Sequence, residues 1–496
     1  MKTGSVHSVE GVVVRTSAGA LRGASREHGV LFGGVPYAAP PVGALRFRTP
    51  APVPAWDGVR NAQEPGPPLP QPVRTLPGLN SETLLGGWDD QSPELTLNVW
   101  TPVPGSSGLP VLVWIHGGAF VAGSPAQRVY DGEAWMRDGV VLVTVAYRLG
   151  VEGFVHFPGG DTNVALRDQL AALEWVQREI ATFGGDPARV CVAGQSAGAM
   201  TLGLLLGSRR SRCLFARAIS MSGGVDLTYS PEQASRVAAH FAERVGVEPS
   251  AEAMQSVPVA RVVEAQGAIA PGEVDLETAE DRDPTGGMLW IVPVRDGDVV
   301  AEDPLASIGT LPDVALLAGC TSEEGLLYLA GVPGFDEMPV EAAEAFAARL
   351  SPDADALLAS LRSEHPDATP GELAAGAITE VAFRTPTERL LSRHAAIGSA
   401  HTHAYRFTWR SGALGGRLGA AHAVDLPFVF DTLATPGASG ADDALLGAEG
   451  GPQELATRMH AAWVRYVADG DPGWAPYGHV ETFAAAQSRT PASALS

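Results

Sequence analysis

The stretch VCVAGQSAGAMTLGLLL, residues 190–206, decides how the chain is read. Its first four residues are apolar and β-prone, as expected of a strand buried on both faces. Its last seven, from Met200 to Leu206, read as an apolar helix. Between them lies Gly194-Gln195-Ser196-Ala197-Gly198, a G-x-S-x-G pattern on a strand-to-helix turn. A serine at such a turn adopts a strained backbone, and small neighbours relieve the crowding. The helix start then supplies N–H donors and the positive end of a dipole beside the serine oxygen. Ser196 is therefore the candidate nucleophile.

The same alternation extends on both sides. Val111–Ile115 (VLVWI), Val140–Ala146 (VVLVTVA), Ala216–Met221 (ARAISM) and Val314–Ala318 (VALLA) read as further buried strands. Residues 163–183 carry Leu166, Leu170, Leu173, Val176 and Ile180 at helical spacing. Strands alternating with helices predict an α/β fold with a mostly parallel sheet covered on both faces. The Pro-rich segment 51–77 cannot be regular helix or central strand and reads as an ordered surface wrap. Two Ala- and Glu-rich segments, about 226–290 and 326–394, read as helical insertions roofing a site. The chain is expected to form a single domain over 1–496.

Composition narrows the function. The 496 residues carry 34 Lys+Arg against 56 Asp+Glu, a formal charge of -22. That excludes the basic surface a nucleic-acid binder needs and disfavours an anionic membrane. Lys2 is the only lysine, so no internal lysine can form a Schiff base. The three cysteines, Cys191, Cys213 and Cys320, have neither metal-ligand spacing nor an even count for disulfides. The opening residues lack an apolar leader, and no apolar run is long enough to span a bilayer. A cytoplasmic protein, monomeric or weakly homo-oligomeric, without metal or organic cofactor, is the expectation.

Acyl transfer needs an oxyanion site, a base and an acid that orients the base. His116-Gly117-Gly118-Ala119-Phe120 follows the VLVWI strand and can bring backbone N–H groups close to a developing oxyanion. The expected donors are Gly118 and Ala119 with Ala197, and the register could include Gly117. The acid should follow VALLA, where Glu323 and Glu324 are equally well spaced. Among the late histidines His394, His401, His403, His422, His460 and His479, the loop position of His422 favours it as the base. An imidazole base implies activity falling below about pH 6–7, near the ordinary histidine value.

These motifs together resemble the type-B carboxylesterases, the family of cholinesterases and bacterial para-nitrobenzyl esterases. The resemblance runs through GVPYAAPPVG (34–43), LNVWTP (97–102), WIHGGAF (114–120), AYRLG (146–150), FGGDP (183–187), the Ser196 turn, SGG (222–224) and HAVDLPFVF (422–430). It covers nearly the whole chain and implies an α/β-hydrolase fold. It also implies Glu324 as the acid, His422 as the base and Ser222 as a supporting serine. The family's usual Glu before the nucleophile is Gln195 here, which lowers the expected attraction for cations. The family's early Cys near LNVW is missing. The implied activity is hydrolysis of small to medium uncharged carboxylic esters by water through an acyl-enzyme. Phe120, Trp290, Phe383 and Phe428 are the candidates to line the pocket.

Overall fold

The computed structural model describes residues 11–398 and 401–484; the first ten residues, part of the segment read for a leader, lie outside it. The fold is organised on a twelve-stranded sheet. Its strands are β1 (Val13–Arg15), β2 (Ala20–Ser25), β3 (Val30–Pro36), β4 (Val59–Ala62), β5 (Thr96–Thr101) and β6 (Leu109–Ile115). They continue with β7 (Val141–Val145), β8 (Gly185–Gln195), β9 (Arg217–Met221), β10 (Ala315–Thr321), β11 (Thr402–Phe407) and β12 (Val480–Phe483). The spatial order is β1-β2-β3-β5-β7-β6-β8-β9-β10-β11-β12, with β4 paired to β2. Pairing is antiparallel from β1 through β5 to β7 and parallel from β7 to β12.

The continuous apolar strands work because alternate side chains feed two separate cores. Val111, Val113 and Ile115 of β6 and Val190 and Val192 of β8 face one core. Leu112, Trp114, Cys191 and Ala193 face the other. The helix Val164–Glu179 delivers Leu166, Leu170, Leu173 and Val176 to the first core. The helix Gln453–Asp469 delivers Leu455, Met459, Trp463 and Tyr466 to the second. Each such apolar side chain contributes about 1.5–3 kcal/mol on burial.

Three features differ from the sequence reading. The Pro-rich wrap contains β4, a short strand in its Pro-free centre that adds to the sheet beside β2. The first insertion is helical only through Pro231–Val245, Ala251–Gln255 and Val259–Gly267, and the residues after it are irregular up to 303. The second insertion holds the helices Val340–Leu350, Ala354–Glu364 and Pro370–Ile378, then a π-helical turn, Thr379–Arg384. The helix Thr385–Ile397, which the sequence reading placed mostly inside that insertion, instead packs on β10 and β11 as a layer of the core fold.

A buried ion pair ties the sheet to its covering helix. Arg148, just after β7, donates to Asp168 through Nε at 2.8 Å and Nη2 at 2.6 Å, and its backbone N–H adds a third bond at 3.0 Å. The Asp168 side chain is wholly shielded from solvent. Two-point geometry of this kind fixes the end of β7 against the helix Val164–Glu179.

Candidate active site

Strand β8 ends at Gln195 and the helix Ala197–Leu206 begins one residue later. Ser196 fills the gap at φ 56° and ψ −127°, a conformation that L residues rarely hold. Its N–H donates to the Met221 carbonyl of β9 at 2.9 Å, which anchors the strained residue. The turn is tight enough to forbid side chains on either flank. A Cβ on Gly194 would sit 2.5 Å from the Gly198 backbone, and one on Gly198 would sit 2.1 Å from the Ile115 carbonyl oxygen.

Beyond β10 the chain turns so that Glu324 points inward and Glu323 outward. Glu324 is fully buried. Its Oε1 accepts from the Ser222 hydroxyl at 2.7 Å and from the Thr321 N–H at 2.7 Å. Its Oε2 meets His422 Nδ1 in a short, buried contact. Glu323 instead accepts from the Ala420 N–H at 2.8 Å and pairs with the exposed Arg410. Geometry therefore separates the two acids that spacing left equivalent.

With the carboxylate on Nδ1, that nitrogen holds the proton and Nε2 carries the lone pair. The Gln195 amide nitrogen lies 3.0 Å from this Nε2, so the amide donates to it. Gln195 is thus drawn into the site. The other late histidines have structural partners. His394 bonds Thr402 at 2.7 Å and the Val314 carbonyl at 2.9 Å; His460 bonds the Val429 carbonyl at 2.7 Å. His403 is packed by Tyr466 and Trp474, while His401 and His479 are exposed.

The His116–Phe120 loop lies directly on the serine turn. A Cβ on Gly117 would come 2.7 Å from Gln195 Oε1 and 3.0 Å from Ser196 Cβ. Three consecutive residues have positive φ: Gly118 at 121°, Ala119 at 55° and Phe120 at 66°. This curl folds the N–H groups of Val121 and Ala122 back onto the Gly118 carbonyl at 3.1 and 3.0 Å. The N–H groups of Gly117, Gly118, Ala119 and Ala197 donate to no protein acceptor among the described residues. The loop is braced from below. His116 stacks on Tyr147 with ring centres 4.6 Å apart, and burial pushes its pKa down to about 4, which keeps it neutral. Gln71, from the Pro-rich wrap, accepts from the Gly123 N–H at 2.8 Å and donates to the Gly123 carbonyl at 2.9 Å. Nothing in the wrap's composition marks Gln71 as a brace.

Of the four aromatic pocket candidates, Phe383 is the one whose ring touches the histidine, 4.5 Å from His422. It sits on the π-helical turn, a device that aims a side chain off the regular helical path. Tyr328, which the sequence reading missed, stacks on Phe383 at 6.3 Å and lies 5.8 Å from His422. Burial first, then the charge of Glu324, raises its pKa, and the positive charge of Arg74 offsets part of the effect. Its signal was its place four residues after Glu324. Phe428 is a correction. It is buried in the opposite core against Phe407 at 5.2 Å and Trp409 at 5.1 Å, because its short helix turns it away from the serine. Phe120 is fully buried and packs edge-on against Phe154 at 5.1 Å, a support for the loop rather than an open wall. Trp290 stacks on Phe241 of the first insertion at 6.0 Å.

One more carboxyl lies near the acid. Asp425 is fully buried, with Tyr405 donating to Oδ2 at 3.3 Å and Oδ1 without a partner. Burial first, then the charge of Glu324, pushes its pKa up to about 7. Among the described residues no cluster of His, Cys, Asp and Glu is placed to hold a metal, and no helix is long and apolar enough to cross a membrane. Cys191, Cys213 and Cys320 are unpaired.

This serine turn, glycine loop and glutamate–histidine pair coincide with a match of residues 10–489 to the carboxylesterase family. The chain belongs to the carboxylesterase family. Within that family it is 33% identical to the phenmedipham hydrolase of Pseudarthrobacter oxydans, over 93% of this chain and 90% of that protein. It is also 33% identical to the para-nitrobenzyl esterase of Bacillus subtilis, over 95% of this chain and 93% of that one. The solved structure of a Geobacillus stearothermophilus carboxylesterase superposes with a TM-score of 0.79 at 32% identity, covering 95% of this chain and 96% of the other. This carboxylesterase accordingly has the α/β-hydrolase fold and hydrolyses carboxylic esters as a serine hydrolase.

Proposed function

We propose that Ser196, His422 and Glu324 form the catalytic triad and that small to medium uncharged esters are split there through an acyl-enzyme. The observation that carries this reading is the buried contact of His422 Nδ1 with Glu324, which leaves Nε2 basic on the side of the strained Ser196 turn. As Ser196 attacks the ester carbonyl, Nε2 exchanges the Gln195 amide for the serine proton. Glu324 stabilises the imidazolium, itself fixed by Ser222 and Thr321. The carbonyl oxygen gains negative charge in a position addressed by the N–H groups of Gly118, Ala119 and Ala197, with Gly117 beside them. Each such donor supplies about 3 kcal/mol to the transition state. The imidazolium then protonates the leaving alcohol. Water, deprotonated by the same nitrogen, releases the acid.

Phe383 and Tyr328 give this site one apolar wall beside the histidine, which suits an uncharged acyl or aryl group. The three unpaired cysteines favour a reducing compartment such as the cytoplasm. The chain acts on a small ester and water as a single folded unit, a monomer or weak homo-oligomer. Hydrolysis of para-nitrophenyl acetate, butyrate and octanoate by wild type and Ser196→Ala tests the reading. Turnover that is lost in the folded variant supports it. Turnover retained by the variant overturns the assignment of Ser196.

A further inference from the structure

The wrap that braces the oxyanion loop also spans the site. Gln71 is bonded to Gly123, and Pro72 packs against Gly267, where an added Cβ would lie 3.1 Å from the proline Cβ. At the other end the Pro77 carbonyl is seated on Gly331, 1.8 Å from where a Cβ would stand. Gly331 follows the short helix Leu326–Leu329 that carries Tyr328, whose ring lies 5.8 Å from that of His422. Residues 73–75 therefore bridge from the oxyanion loop to the Tyr328 helix, and all three are exposed, Val73 to 80%.

Arg74 is the centre of that bridge. Among the described residues it makes no hydrogen bond and no ion pair. Desolvation lowers its pKa, the Tyr328 hydroxyl is its one electrostatic neighbour, and no carboxylate contributes. The protein has 56 acidic side chains against 34 basic ones, and none of the described acids is placed to pair with Arg74. A guanidinium that reaches the surface yet is partly desolvated, with seated residues on both flanks and Tyr328 beside it, has free donors that an anion entering with the substrate could engage.

We propose that Arg74 is a specificity residue that binds a carboxylate on the substrate, extending the enzyme's range from neutral esters to esters that carry an anionic group several atoms from the scissile bond. This rests on the Ser196 ester-hydrolase reading. The guanidinium's fork accepts both oxygens of a carboxylate, and binding there leaves the ester carbonyl free for the serine. Because the group is exposed, the interaction acts on substrate capture and weakens in salt.

The test compares two matched pairs: para-nitrophenyl butyrate with mono-para-nitrophenyl glutarate, charged on the acyl side, and phenyl butyrate with 4-carboxyphenyl butyrate, charged on the alcohol side. Arg74→Ala is expected to lower kcat/KM about five- to tenfold for the charged member of one pair, mainly through KM, with the neutral members changed less than about twofold. Arg74→Lys should retain most of the preference and Arg74→Glu should lower it further. The wild-type advantage should shrink at high salt. A charged-to-neutral ratio that is the same in wild type and all variants, for both pairs, overturns the proposal while leaving the esterase reading standing. Absence of wild-type turnover on the neutral esters overturns that reading, and this one with it.

Discussion

At the scale of single residues, the site separates groups that look alike in sequence. Glu323 and Glu324 are adjacent, yet one pairs with a surface arginine and the other lies wholly buried on His422. Glu324→Gln should therefore reduce kcat about 1,000-fold or more, because an amide cannot hold the imidazole in the required tautomer. Glu323→Gln should change it less than about threefold, as expected for an exposed pair. Steady-state kinetics on para-nitrophenyl butyrate distinguish the two. Asp425 makes a second residue-scale prediction. Its carboxyl titrates at about 7 in the folded protein and near its ordinary 3.8 when unfolded. Between those values the folded state holds a proton the unfolded state has released, so this group subtracts stability as pH rises from about 4 to about 7, above which the loss is complete and constant. Asp425→Asn should remove that loss, by up to a few kcal/mol. Urea midpoints at pH 5 and pH 8 should show the variant gaining on wild type at the higher pH. Ser196 and the Glu323–Glu324 pair were legible because they follow strand ends and His422 because of its loop position, while the choice of Glu324 over Glu323 came from the family resemblance. Gln71 and Arg74 were not legible, since nothing local distinguishes a glutamine or arginine that acts only through a distant segment, and Tyr328 had only its place four residues after Glu324 to mark it.

At the scale of elements, two loops make the chemistry possible, and both depend on missing Cβ atoms. A methyl group on Gly198 would overlap the Ile115 carbonyl at 2.1 Å, backbone that cannot move without parting β6 from the serine turn. Gly198→Ala should destabilise the fold by about 2 kcal/mol or more and lower kcat in the folded fraction. Thermal melts with active-site titration would show both effects. The oxyanion loop has a softer dependence. Replacing Gln71 by Leu removes both bonds to Gly123 while keeping the bulk. It should lower kcat about tenfold with little change in KM, since the loop's donors act chiefly in the transition state. The buried strands and both glycine turns were readable from apolar runs and from G-x-S-x-G with its context. The π-helical turn that presents Phe383 was not, because such a turn has the same composition as the helix around it. Phe428 misled for a related reason: an aromatic residue close behind His422 in sequence lies on the far face of the sheet once its short helix has formed.

At the scale of the molecule, one sheet connects residues 13 to 483, and its two cores sit on opposite faces. A fold built this way should unfold as one unit. The Arg148–Asp168 pair stands where sheet and helix meet, with both side chains almost fully shielded. Asp168→Asn leaves a buried guanidinium without its charge partner and should cost about 3–5 kcal/mol. Chemical denaturation should record a lower midpoint in a single transition for both proteins. Sheet class and covering helices followed from periodicity alone. The boundary of the second insertion did not, because the helix Thr385–Ile397 follows the insertion's last helical turn without a break, and only its packing on β10 and β11 tells them apart.

The central claim is that Ser196 forms the covalent intermediate. It is tested most directly by reaction with a fluorophosphonate followed by peptide mass spectrometry. The account predicts one label per chain, on the peptide containing Ser196, with activity falling in proportion and no label in Ser196→Ala. A label on another residue together with loss of activity, or full activity in a chain labelled at Ser196, would contradict it.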